Sequence, residues 1–172
     1  MAGPVTFELG ADPAADALAL RGAFGCFTTG VTIVTTVGDS GGPVGFTANA
    51  FASVSLRPPL ALICIDEKAA SLPALEASGV FAVNVLHSGQ RELARRFARK
   101  GGDRFAGTPF ETWATGAPIL LGCMAVFECA AHHAFDAGDH RVFVGQVLKV
   151  RYDPTPEPLV FLRGGYCRVH VD

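Results

Sequence analysis

Short apolar blocks, most of them β-branched and closed off by glycine, proline or small polar residues, dominate the pattern along this chain. Asp12-Pro13 supplies an N-cap followed by proline in the first helical turn, and the Ala- and Leu-rich stretch 14–24 predicts one helix. Residues 31–37 read as a β-branched strand, Gly38-Asp39-Ser40-Gly41-Gly42 as a turn, and 43–51 as the partner strand of a hairpin. The uninterrupted apolar run 60–65, between Pro58-Pro59 and Asp66-Glu67-Lys68, predicts a strand buried on both faces. Stretch 71–77 reads as a short helix with Ser71 as N-cap, 80–86 as a strand, and 90–100 as a helix with Leu93, Ala94 and Phe97 on one face. A long connection punctuated by glycine and proline covers 101–118. Strands are predicted over 123–131, 141–152, and 159–162 running into 166–171. Few helices, many short strands and no βαβ alternation predict a mainly β fold, a closed antiparallel barrel with peripheral helices. Residues 1–11 carry no periodic pattern and read as a flexible N-terminal arm, leaving 12–172 as a single domain.

Composition adds a partner to this picture. Among 172 residues, 49% are hydrophobic and 17% charged, ample for one core. A mean hydropathy of +0.33 further predicts apolar surface covered by a second copy, a homodimer. The net charge of −2 excludes a broad basic face for nucleic acid. A local run, Arg91, Arg95, Arg96, Arg99, Lys100 and Arg104, reads either as a solvated helix face or as a contact for dinucleotide phosphates. Five cysteines (Cys26, Cys64, Cys123, Cys129 and Cys167) form no CxxC pair and read as buried, reduced thiols of a cytoplasmic protein. Acidic residues and no basic region ahead of a long apolar core make a secretory signal unexpected, and Arg57 with two prolines interrupts the most apolar stretch, 54–65, so no membrane association is expected.

The chain has neither a Gly-x-Gly-x-x-Gly fingerprint nor a Gly-Lys-Ser/Thr loop, so any nucleotide must be held without those turns. Instead, Thr29-Gly30-Val31-Thr32-Ile33-Val34-Thr35-Thr36 is followed by Gly45-Phe46-Thr47-Ala48-Asn49-Ala50-Phe51-Ala52-Ser53-Val54-Ser55-Leu56-Arg57-Pro58-Pro59-Leu60. A strand that runs out into hydroxyls and small residues makes a poor core and a suitable rim for a phosphate-bearing aromatic ligand. Ser53 and Ser55, two apart in extended backbone, are expected to face the same side. The neighbours His132 and His133 point to opposite faces of a strand, so no metal site is expected. Two later fragments stand out: Gly138-Asp139-His140 before a strand, and Arg163-Gly164-Gly165-Tyr166 near the end.

Together these four segments closely resemble the flavin reductase-like family, short-chain NAD(P)H:flavin oxidoreductases built on an FMN-binding split barrel of Greek-key type. The resemblance runs from about Gly22 to Val169. It implies that Thr47, Ala48, Asn49 and Ala50 line the flavin ring edge and ribityl chain through backbone amides and short side chains, and that Ser53, Val54 and Ser55 contact the flavin. Ala50 stands where many relatives have Ser, which removes a hydroxyl and leaves the backbone donors. Cys64, Ile65 and Asp66 are implied to set backbone against the ring, Ser71 to meet the phosphate, Phe97 and Ala98 to wall the site, and Arg163 and Tyr166 to close its rim or a dimer seam. His140 matches the histidine that meets the incoming nicotinamide and is the implied catalytic-site group. The implied activity is hydride transfer from NADH or NADPH to FMN or FAD, the reduced flavin serving a partner flavin-dependent monooxygenase. The alternatives are a flavin-binding electron-transfer protein of the same fold and a flavoprotein oxidoreductase acting on another small molecule.

Overall fold

The computed structural model describes residues 3–10 and 12–169. Met1, Ala2 and Ala11 of the expected arm and His170 and Val171 of the expected last strand lie outside the described residues. Helix α1 (Pro13–Phe24) starts where the sequence predicts, with the Asp12 carboxylate accepting from the N–H groups of Ala14 and Ala15. None of its residues is buried. Strands β1 (Thr29–Gly30) and β2 (Thr32–Val37) follow, and β2 turns through Gly38–Gly42 into β3 (Pro43–Ala48). The expected partner strand 43–51 is broken at Asn49 and Ala50, after which β4 (Phe51–Leu56) hairpins into β5 (Pro59–Asp66). Helix α2 (Leu72–Ser78), strand β6 (Val80–Val85), a 3-10 turn (Ser88–Gln90) and helix α3 (Arg91–Ala98) come next. The connection 101–118 contains structure that its glycines and prolines conceal, a small hairpin of β7 (Phe110–Thr112) with β8 (Pro118–Leu120). Strands β9 (Ala125–Ala137) and β10 (His140–Tyr152) form a long hairpin turning at Gly138-Asp139, and β11 (Val160–Leu162) with β12 (Gly165–Cys167) ends the described chain.

Seven strands form one antiparallel sheet in the order β3-β2-β6-β9-β10-β5-β4, beside a three-stranded sheet β1-β11-β12 and the β7-β8 pair. The fold is mainly β with three peripheral α-helices among the described residues. The outermost strands, β3 and β4, are consecutive in the chain and joined by only two residues, Asn49 and Ala50. The sheet therefore brings its two edges together at that joint, and no hydrogen-bonded ladder links β3 to β4 among the described residues.

Central strands bury both faces. Ile33 belongs to one apolar cluster with Leu86, Phe97, Ile119 and Leu159, and its neighbour Val34 to another with Ile63, Phe81, Val83 and Phe143. Buried Asn84 donates to the Ile33 carbonyl and the Thr35 hydroxyl and accepts from the Leu120 N–H, which pins β8 onto the sheet with the amide satisfied. Strand β5 departs from the expectation of two buried faces. Ala61, Ile63 and Ile65 are buried, while Leu60, Leu62 and Cys64 are half-buried, because only the inner row meets the core and the outer row opens on a groove.

Candidate functional site

A cavity of about 610 Å3 opens beside the joint between the sheet edges. Its floor is the end of β3 and the Asn49-Ala50 link, one wall is Cys64, Ile65 and Asp66 of β5, and the other is the end of α3 with the loop through Arg104. An edge strand has backbone groups that no ladder uses. Here the Gly45 carbonyl is turned outward and accepts from Arg104 Nη1 at 2.6 Å, while Arg104 Nη2 donates to the Arg99 carbonyl at 2.7 Å. The guanidinium is thus fixed on the cavity wall. Gly45 is required by close approach: a Cβ there would lie 2.9 Å from Cε1 of Phe97, the ring that backs the wall. Small residues, Ala48, Ala50, Ala69, Ala70 and Ala98, leave the lining backbone accessible.

The mouth carries the titratable groups. In the β10–β5 ladder His140 pairs with Asp66, which fixes where the imidazole emerges. Its Nδ1 lies 2.7 Å from Asp139 Oδ1, and that hydrogen bond, with the nearby imidazole charge, holds the Asp139 carboxyl below the usual carboxylate range. The His140 side chain remains 44% exposed, reachable from solvent.

Of the sequence-predicted site residues, Thr47, Ala48, Asn49, Ala50, Cys64, Ile65, Asp66, Ser71, Phe97, Ala98 and His140 all line this one cavity. Two differ in role from their expectation. The Thr47 hydroxyl is committed to the Ala94 carbonyl at 2.6 Å, so it holds α3 in place. Ser71 is buried but does not cap α2 with its side chain, because its backbone is already right-handed helical (φ −90°, ψ −9°) and a capping residue needs extended dihedrals.

Ser53, Val54 and Ser55 lie on β4 outside the cavity. Ser53 pairs with Ala61 and Ser55 with Leu60, so Val54 is an inserted bulge residue and the two serines face opposite sides, against the expectation from their spacing. Ser55 Oγ instead accepts from the Arg57 N–H. Arg163 lines a separate apolar groove of about 700 Å3, with Phe24, Phe27, Phe51, Leu62 and Phe161. Tyr166 packs edge-on against Phe161, and its carbonyl accepts from Arg91. Neither residue lines the cavity. The groove and the cavity share Asn49, Ala50 and Cys64, and burial raises the Cys64 thiol above its ordinary value.

The cysteines are free, but only Cys123 and Cys129 are buried as expected: Cys64 and Cys167 are half-buried, and Cys26 is exposed just after α1, a helix with no fully buried residue. Much of the basic run is occupied locally: Arg91 on the Tyr166 carbonyl, Arg95 on Glu92, and Arg96 on the Ala106 carbonyl and Thr108. Lys100 and Arg104 reach the cavity, and sequence reasoning had weighed them only as part of that run. Lys68, Ala69 and Gly101 were missed, lying in loop stretches with no periodicity to mark them. No group of three or more His, Cys, Asp or Glu side chains gathers as for a metal among the described residues.

The chain belongs to the flavin reductase like domain family, whose model matches residues 24–170. It is 44% identical over 149 residues to an actinorhodin polyketide dimerase of Streptomyces coelicolor, covering 87% of this chain and 84% of that protein. To HsaB, the reductase subunit of a flavin-dependent monooxygenase of Rhodococcus jostii, it is 41% identical over 159 residues, covering 92% and 81%. The solved structure of the Streptomyces globisporus NADH:FAD oxidoreductase SgcE6 in complex with NAD and FAD fragments matches with a TM-score of 0.87 at 42% identity, covering 96% of this chain and 99% of that one.

Proposed function

We propose that this chain is an NAD(P)H:flavin oxidoreductase that reduces FMN or FAD with NADH or NADPH and passes the reduced flavin to a partner flavin-dependent monooxygenase. The observation that carries the reading is convergence: residues 47–50, residues 64–66, Phe97, Ala98 and His140, scattered through the sequence, surround one cavity. The residues fit a flavin by their chemistry. A floor of alanines admits a planar ring against backbone, and Lys100 and Arg104 supply positive charge for a phosphate.

When bound, a flavin supplies a ring that accepts two electrons as hydride. The chain's part is to orient, to polarise and to exclude. Backbone N–H groups along Ala48 to Ala50 would hold the edge of the flavin ring that gains negative charge on reduction, a preorganised stabilisation. His140, steadied by Asp139, is a positioning residue for the nicotinamide at the mouth, since a hydride moving between rings roughly 3–3.5 Å apart needs alignment and no acid. A proton taken up by the reduced flavin would be supplied by solvent at the mouth, where His140 is exposed.

The finer structural expectations belong to the same proposal. The curled sheet is taken as the split barrel, acting as a homodimer in the cytoplasm. Leu18, Phe24 and Phe27 near α1, Leu56 on β4, and Leu148, Val150 and Tyr152 on β10 are exposed large apolar residues that a second copy would cover. The free cysteines accord with a reducing compartment, and no helix among the described residues is long and apolar enough to cross a membrane. A second reading, a flavoprotein oxidoreductase acting on another small molecule, is favoured by the similarity to the polyketide dimerase and by the apolar groove behind Ala50 and Cys64.

Aerobic oxidation of NADH and NADPH with FMN or FAD added separates these. Oxidation that depends on added flavin supports the reductase. A protein that purifies yellow with stoichiometric flavin and ignores added flavin supports the second reading, and a protein that neither carries flavin nor oxidises NAD(P)H when flavin is added overturns both.

A further inference from the structure

We infer that the groove behind Ala50 and Cys64 is a second ligand site, built for an aromatic carboxylate. This goes beyond the reductase reading, which uses only the cavity on the other side of those residues, and it names the class of small molecule that the second reading leaves open. The groove holds about 700 Å3, within the roughly 300–1,000 Å3 of small-molecule sites, and it adjoins the cavity through Asn49, Ala50 and Cys64. Its walls are apolar. Half-buried Phe51, Leu62 and Phe161 form them, with exposed Phe24 and Phe27 at the rim, where a second copy would roof the groove.

Two arginines break that pattern. Arg21 in the last turn of α1 and Arg163 in the β11–β12 turn both line the groove, no Asp or Glu lines it, and neither arginine has a carboxylate partner among the described residues. A single glycine brings them to one place. The Gly25 N–H donates to the Arg21 carbonyl at 2.9 Å, and the Gly25 carbonyl accepts from the Arg163 N–H at 2.9 Å. A Cβ at Gly25 would lie 3.0 Å from the Arg21 carbonyl oxygen and 3.3 Å from the Arg163 Cα, so the turn closes on the helix end only where no side chain stands. Arg163 has φ +50°, the one non-glycine residue in left-handed backbone among the described residues. With Gly164 at φ +81° it makes a two-residue hairpin turn whose first position favours Asn, Asp or Gly. An arginine held there against local preference points to a role for its side chain. The C-terminus of α1 adds about half a negative charge nearby, which two full guanidinium charges outweigh. An apolar slot ending in two cations without a counter-ion takes a flat ring system with one acid group, whereas a neutral ring would leave the arginines unanswered.

Titration calorimetry of the full chain, without added flavin, with 2-naphthoate and its neutral isostere 2-naphthamide tests this. Naphthoate is expected to saturate and to bind at least about tenfold more tightly than the amide. Arg21→Gln and Arg163→Gln are each expected to weaken naphthoate at least about fivefold and to leave the amide unchanged. Ala52→Trp, at an exposed position on the groove wall, is expected to abolish binding of both while flavin affinity is kept. Equal affinity for acid and amide overturns the inference, and so do a lack of saturable binding or arginine variants that keep wild-type affinity. Displacement of naphthoate by FMN or NADH would assign the groove to the nucleotides and overturn it too. Sedimentation in which Ala52→Trp turns a self-associated wild type into a monomer would do the same, since a second copy then fills the groove. Because the titration is read without flavin, its failure and a failure of the flavin reading are separate results.

Discussion

Thr47 donates its hydroxyl to the Ala94 carbonyl over 2.6 Å, tying the edge strand that floors the cavity to the helix that walls it. The other anchors of α3 and its end are packing and the hydrogen bonds of Arg91, Arg96 and Arg104, none of which joins the floor at Thr47 to the helix backbone. Thr47→Val keeps the shape and the β-branching and removes the donor. The variant should lose about 0.5–1.5 kcal/mol of stability in urea denaturation and bind flavin several-fold more weakly in a fluorescence titration. Thr47→Ser should restore both, and unchanged flavin affinity in the valine variant would show that the wall holds without the tether.

Ala50 faces the cavity on one side and the apolar groove on the other, and its carbonyl accepts from the Cys64 N–H. Ala50→Leu fills the cavity floor with a side chain while leaving that backbone bond available. Flavin affinity should fall at least about tenfold with the unfolding midpoint nearly unchanged. Full-strength flavin binding would place the ring elsewhere.

Gly145 lies at an irregularity in the β9–β10 pairing, in the middle of the large sheet. A methyl there would run into the Phe81 ring and come within 2.9 Å of the Cys129 Cβ. Gly145→Ala should cost about 1–3 kcal/mol or more through overpacking. Gly30→Ala, where a Cβ meets nothing within 4 Å, should stay within about 0.5 kcal/mol of wild type in the same assay.

Two buried thiols and the half-buried Cys64 give a pH signature. Burial raises Cys123 to about 11 and Cys129 to about 12, and it raises Cys64 as well. The folded state therefore holds these protons after the unfolded chain, with thiols near 9.0, has released them. Their stabilisation is complete below pH 9 and is lost as pH rises toward 11 and 12. Urea midpoints should fall across that window, and the double variant Cys123→Ala, Cys129→Ala should flatten the fall. At pH 8 a thiol reagent should label exposed Cys26 first, and added flavin should slow labelling of Cys64 specifically.

Much of this was legible in the chain because it depends on local grammar. Asp12-Pro13 marks the start of α1, and the β-branched run at 31–37 marks a strand central to the sheet. What escaped depends on partners distant in sequence. The spacing of Ser53 and Ser55 is blind to the bulge at Val54, which only the register against β5 reveals. Thr47 has the look of a ligand contact until Ala94, 47 residues away, takes its hydroxyl. Arg104 resembles its neighbours in a basic run until the Gly45 carbonyl singles it out. The resemblance sets Arg163 and Tyr166 at the site's rim or a dimer seam; the β11–β12 turn carries Arg163 to the groove and Tyr166 to Phe161, away from the cavity.

His140 offers the sharpest test of how the site handles the nicotinamide, because it stands at the mouth, outside the backbone floor assigned to the flavin. Its Nδ1 is engaged by Asp139 at 2.7 Å, so the imidazole is oriented while Nε2 is left for a ligand. Removing the ring in His140→Ala deletes one positioning contact, at a cost on the order of 1–3 kcal/mol, or roughly five- to a hundredfold in rate. The expected pattern is a raised KM for NAD(P)H and a slower hydride-transfer rate in anaerobic stopped flow, with flavin affinity nearly intact. Asp139→Asn keeps a hydrogen-bonding partner but removes the negative charge, so it should show a smaller effect in the same direction. Asp139 stays ionised to below the usual carboxylate range, so its support of His140 should persist as pH falls and be lost only when pH drops through that lowered value. Wild-type nucleotide affinity and transfer rate in His140→Ala would demote the histidine to a strand-terminal residue and move the nicotinamide contact to another part of the mouth.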